Sequence, residues 1–99
     1  MTPEAQRIAI AGACGWRKDK RGLGWLNPSG EYSEPPDYLN DLNAMHEAEK
    51  RMPASCWTRY CQHLARLGKG SVRFVSVHST AAHRAEAFLR TLNLWTDEQ

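Results

Sequence analysis

The spacing of apolar and polar positions marks four helices and one strand in this chain. Thr2-Pro3-Glu4 reads as a helix start: a capping hydroxyl, proline at the first helical position, an acid in the first turn. The helix is expected over Pro3–Ala13. Ile8 and Ile10 fall on different sides, a pattern for a helix covered on more than one face. Gly15 is placed to end it in the left-handed conformation. A second helix is expected to open at Pro36-Asp37, with Asp37 as cap or first-turn acid. Stepping 100° per residue gives it an apolar face of Tyr38, Leu42, Met45 and Met52, with Leu39 at the edge. Glu49 falls in the middle of that face and His46 near it. Pro53 ends this helix or begins the next.

Ser55 is the expected cap of a third helix over Cys56–Leu67. Trp57, Tyr60, Cys61, Leu64 and Leu67 form its apolar stripe, and Arg59, Gln62, His63 and Arg66 its polar side. Gly68-Lys69-Gly70 breaks it. Val72–Val77 is short and rich in β-branched residues, the best strand of the chain. Ser79 is expected to cap a fourth helix over Thr80–Leu92. There Ala81, Ala85, Phe88, Leu89 and Leu92 face inward, while His83, Glu86 and Arg90 face out. Glu86 and Arg90 are spaced as an i, i+4 ion pair. Asn93 is the expected C-cap, Leu94-Trp95 fold back onto the core, and the tail 96–99 frays.

Residues 15–36 break the helical pattern with four glycines and three prolines. Trp16 and Trp25 flank a basic tip, Arg17-Lys18-Asp19-Lys20-Arg21, expected as two short strands around a mobile loop at 17–24. Asn27-Pro28-Ser29-Gly30 reads as a turn. The fold class that follows is α+β: a single domain over 1–99, with a small antiparallel sheet that includes Val72–Val77, packed by about four helices.

Charge changes the picture locally. The 99 residues hold 13 Lys and Arg against 11 Asp and Glu, a net +2 that argues against a strongly basic nucleic-acid coat and an acidic mimic. By segment, residues 1–30 carry net +3, 31–54 net −4, 55–93 net +5 and 94–99 net −2. Either the acidic second helix and the basic second half neutralise each other, or the basic half builds an anion site. No apolar run is long enough for a transmembrane helix. The three cysteines are odd in number, and the start of the chain has no signal-peptide layout, so the expected compartment is the reducing cytoplasm. Cys14, Cys56 and Cys61 are read as small buried hydrophobes. Their spacing with the four histidines fits no metal pattern, and no cofactor is expected.

Three constellations bear chemistry. Val77-His78-Ser79-Thr80 joins the strand to the fourth helix, where free N–H groups, two hydroxyls and Arg84 one turn on could seat a phosphate or carboxylate. The alternative there is an ordinary helix cap. His46 and Glu49 share an apolar helix face, which requires a partner for the carboxylate: Arg84, Arg73 or another base of the facing layer, or else a catalytic or ligand-binding use. Trp16, Trp25 and Tyr32 around Arg17, Lys18, Lys20 and Arg21 combine rings that stack with cations that hold phosphates. No triad, nucleophile elbow or phosphate loop is present, so an enzyme is not expected.

The stretches Ala13-Cys14-Gly15-Trp16, Pro35 to Glu49 (with Asp37-Tyr38-Leu39-Asn40-Asp41-Leu42) and Thr80 to Leu92 (with Ala81-Ala82-His83-Arg84) are similar to small phage and prophage proteins grouped as the phage ABA sandwich domain. The resemblance implies helix–sheet–helix layering and a phage origin in a host cytoplasm. The expected function is a non-enzymatic accessory protein that binds a small anionic ligand. By analogy, that ligand is a nucleotide immune signal and the role is counter-defence sequestration. The candidate ligand residues are Trp16, Arg17, Tyr38, His78, Ser79, Thr80, His83 and Arg84, in a homo-oligomer. A module that modulates a host protein, or weak nucleic-acid binding, stands as the alternative.

Overall fold

The computed structural model describes residues 1–22, 24–68 and 80–97. The strand expected over Val72–Val77 and the candidate residues His78 and Ser79 lie outside them. Helix α1 spans Pro3–Ala13, as its sequence predicts. The Thr2 hydroxyl accepts from the Ala5 N–H, which satisfies one of the helix's unpaired donors. Its C-terminus is a Schellman turn. Gly15 takes φ +95°, its N–H donates to Gly12 O at 3.2 Å, and the Trp16 N–H reaches back to Ala11 O at 2.9 Å. That turn swings Trp16 off the helix axis and toward the core.

Strand β1 (Arg17–Lys18) pairs antiparallel with β2 (Trp25–Leu26), Arg17 opposite Leu26 and Lys18 opposite Trp25. This is the hairpin that the Gly-rich region predicts. A single bridge from Leu26 to Tyr32 extends it. The Asn27 side chain closes the intervening turn by accepting from the N–H groups of Ser29 and Glu31.

Helix α2 spans Leu42–Glu49, four residues shorter at its start than the apolar pattern from Tyr38 implies. Asp37 closes a turn instead: its carbonyl accepts from the N–H groups of Asn40 and Asp41. Asp41 is the actual cap, accepting from the Asn43 and Ala44 N–H groups at 3.0 and 3.2 Å. Leu42, expected in the core, is therefore 41 % exposed. A 3₁₀ turn (Ala54–Cys56) leads into α3 (Trp57–Gly68); Ser55, expected as the cap of this helix, lies inside that turn, whose own N-cap position is Pro53. Tyr60 and Leu64 are buried as expected, but Trp57 is 40 % exposed.

Helix α4 (Ala81–Thr91) is the centre of the molecule and packs against α1, α2 and α3. Thr80 caps it, in the place assigned to Ser79, by accepting from the His83 N–H at 3.2 Å. Ala85, Ala87, Phe88 and Leu89 are fully buried, because neighbours cover α4 on more sides than a one-faced stripe requires. The Arg90–Glu86 pair forms at 2.7 Å. Asn93, at φ +59°, ends α4 with a second Schellman turn, in which the Leu94 N–H donates to Leu89 O at 2.8 Å. Trp95 packs back against the core and Leu94 stays 39 % exposed. Among the described residues the class is α+β, four α-helices and a two-stranded antiparallel sheet, and no helix is long and apolar enough to cross a membrane.

Candidate functional site

The Schellman turn after α1 sets one wall of a cleft of about 240 Å³. It delivers Cys14 and Trp16. The Asn27–Gly30 turn brings Pro28 against Gly15, and the approach to α2 adds Pro36 and Tyr38. Helix α2 and the residues just after it contribute Ala44, Ala48, Glu47 and Arg51. Each of these short-range devices is ordinary. Their convergence places an indole, a phenol and two prolines around one space.

Tyr38 is 3 % exposed, with its hydroxyl beside the Cys14 thiol and the Trp16 indole. Burial, with the neighbouring thiol, pushes the Tyr38 phenol well above its ordinary range. Burial likewise pushes the Cys14 thiol up, while a hydrogen bond with Tyr38 and the positive Arg51 draw it partly back. Both groups keep their protons at neutral pH. A protonated, buried thiol is a poor nucleophile, so the pair serves as part of a wall. The Glu47 carboxylate is taken by Lys50 at 2.9 Å. Among the described residues Arg51 has no ion-pair partner, which leaves it as the cleft's available cation.

The sequence candidates separate into three places. Trp16 and Tyr38 meet in the cleft. Arg17 lies on β1 at the basic tip, where Lys18 Nζ stands 5.5 Å from the Trp25 ring centroid and the Tyr32 hydroxyl donates to Asp19 at 3.0 Å. Thr80, His83 and Arg84 lie at the start of α4, where the Thr80 hydroxyl serves its own helix and Arg84 turns inward, while His78 and Ser79 of the same junction lie outside the described residues. Arg84 Nη1 donates to both Glu49 oxygens, at 3.1 and 3.4 Å, and Glu49 also contacts His46 Nδ1 at 3.0 Å. The pair is 5 and 6 % exposed, so the carboxylate on the apolar face of α2 has the structural partner anticipated for it.

Sequence reasoning missed Arg51, Cys14, Pro28 and Pro36 as cleft residues. A signal for Arg51 did exist: Ala44, Ala48 and Arg51 are spaced i, i+4, i+7, which puts them on one helix side. The two prolines carry no such signal, because only the tertiary fold brings them near Trp16. The described residues contain no group of three His, Cys, Asp or Glu side chains that could hold a metal ion. Comparison of the chain with protein-family models, with curated proteins and with solved structures finds no match in any of the three.

Proposed function

We propose that this protein is a binding protein for a small planar anion, taken up in the cleft between Trp16, Tyr38 and Arg51. One observation supports the reading: the Trp16 and Tyr38 rings and a guanidinium with no ion-pair partner among the described residues line the same space, where flat ligands stack and an anionic group pairs. At about 240 Å³ the cleft is smaller than the ~300–1,000 Å³ of drug-sized sites. It suits a single ring system with one charged group, as in a nucleoside monophosphate. Cys14 and Tyr38, held protonated, supply a wall and no reactive group, which favours binding over catalysis. Similarity of three stretches to small phage proteins suggests the use: sequestering a nucleotide signal in a host cytoplasm.

Calorimetric titration with nucleoside monophosphates and cyclic oligonucleotides tests this. Saturable binding is expected, and Arg51→Gln should weaken it by about 10- to 100-fold, the worth of one charge-assisted hydrogen bond. Arg51 is exposed, so the variant should melt with the parent protein. Absence of heat from every compound, with the protein folded, would remove the proposal.

A further inference from the structure

A second hollow, more polar than the cleft and sharing no lining residue with it, lies between α3 and α4. Two spaces of about 440 and 190 Å³ adjoin there, and His63 and Arg90 line both. Arg59, His63 and Arg66 follow one another at i, i+4 and i+7, on one side of α3. Arg59 lines the larger space and Arg66 the smaller, with Arg90 facing them from α4. The two carboxylates present are already engaged. Glu86 accepts from Arg90 Nε at 2.7 Å, and Asp97 accepts from the Trp95 indole N–H at 3.1 Å. Arg90 also stacks on the Trp95 ring, 4.7 Å from its centroid, so its guanidinium is held in place. Among the described residues Arg59 and Arg66 have no ion-pair partner. Three guanidinium groups thus outnumber two occupied carboxylates around a half-buried imidazole.

Such an arrangement is unfavourable to itself. Three like charges border one hollow, and the Glu86 carboxylate, paired with Arg90, relieves them only in part. We propose that the α3–α4 hollow is a site for a phosphoryl group, held by Arg59, His63, Arg66 and Arg90. The planar guanidinium fork matches phosphate oxygens in pairs, which a chloride or a lone carboxylate cannot use as fully. The groups facing His63 are Arg59 and Arg66 from its own helix, Glu86 and Arg90 from α4, and Asp97 from the following tail. Burial first, then Arg66, Arg90 and Arg59, hold its imidazole below the ordinary histidine range, and Glu86 opposes them only in part. A bound phosphoryl anion neutralises the arginines and returns the proton to His63.

The experiment is an NMR pH titration of the His63 ring in the full chain, from pH 5 to 8, with the resonance identified by its loss in His63→Asn. It is run in sodium chloride and in sodium pyrophosphate at matched ionic strength, because salt alone screens the arginines and lifts the midpoint somewhat. Pyrophosphate is expected to raise the midpoint by about one pH unit beyond chloride. The double variant Arg59→Gln, Arg66→Gln should lose that extra rise. Both residues are exposed, so the variant keeps its fold. A third arm uses a short single-stranded oligodeoxynucleotide. A rise there without one in pyrophosphate assigns the phosphoryl group to a nucleic-acid chain. Equal midpoints in all three arms, or a rise that survives in the double variant, would overturn the site. Arg51→Gln should leave these curves unchanged, so the cleft and the hollow can fail separately.

Discussion

Arg84 and Arg90 stand six residues apart on α4, about a third of a turn round the helix, and their surroundings are opposite. The Arg84 side chain is 5 % exposed and donates to Glu49 across the core. Arg90 is 37 % exposed, leans on Trp95 and faces two further arginines. The first is a strut whose charge is cancelled inside the protein. The second belongs to a group whose charge is only partly cancelled. Net charge by segment counts them alike. Only the direction each points from the helix decides whether a cation supports the fold or is offered to a ligand.

The largest expected effect tests the strut. Glu49→Ala leaves a buried guanidinium without its carboxylate and should cost about 3–5 kcal/mol in urea denaturation, a large share of the ~5–15 kcal/mol that holds a small domain. Replacing both partners with Leu at 49 and Met at 84 should recover most of it, since apolar side chains fill the same volume without desolvating charge. A loss under about 1 kcal/mol for Glu49→Ala would erase the contrast between the two arginines.

On the outer side the expected effect is smaller and depends on pH. In the unfolded chain His63 titrates near the ordinary value of about 6.5, whereas the folded protein holds it lower. As pH falls through 6.5 the unfolded chain takes up the proton first, so stability declines until the folded midpoint is passed. Above 6.5 this contribution is complete. Urea midpoints measured between pH 5 and 8 should fall on the acid side, and His63→Asn should flatten that part of the profile. An unchanged slope would mean that neither burial nor the arginines depress the imidazole.

The smallest effect sharpens the boundary between the two sides. Among the described residues the buried Tyr60 hydroxyl makes no hydrogen bond of ordinary geometry, although Glu49 and Arg84 stand close enough to act on it. Tyr60→Phe removes an unsatisfied polar group and should be neutral or stabilising by up to about 1 kcal/mol. A clear destabilisation in the same assay would show that the hydroxyl bonds to the pair in solution.

Local signals in this sequence read well, and distant ones less so. Helix α1, its Thr2 cap and its Gly15 terminus follow from neighbours within four residues, and so does the Glu86–Arg90 pair. Glu49 requires a partner because a carboxylate stands on an apolar face, and Arg84 is one of the bases that the facing layer offers. The start of α2 differs from the expected one because two aspartates compete as caps. Asp37 precedes a run with helical spacing, yet it closes a turn, and Asp41 takes the role four residues later. An anion seat at Thr80 and Arg84 requires hydroxyl and guanidinium to point outward, a matter that neighbouring helices settle. The polar side of α3 was legible as Arg59, His63 and Arg66. That Arg90 and Trp95 would face it depends on how α4 packs and on the turn at Asn93.

The chain's four tryptophans are spread over different surfaces. Trp16 lines the cleft, Trp95 lines the α3–α4 hollow, Trp25 lies under Lys18 in the hairpin, and Trp57 sits edge-on to Tyr60 with 40 % of its surface exposed. The protein therefore carries a built-in fluorophore at each place where a ligand is proposed. Removing the other indoles leaves a reporter whose emission answers for one surface alone, so occupancy of the two regions can be followed without attaching a label.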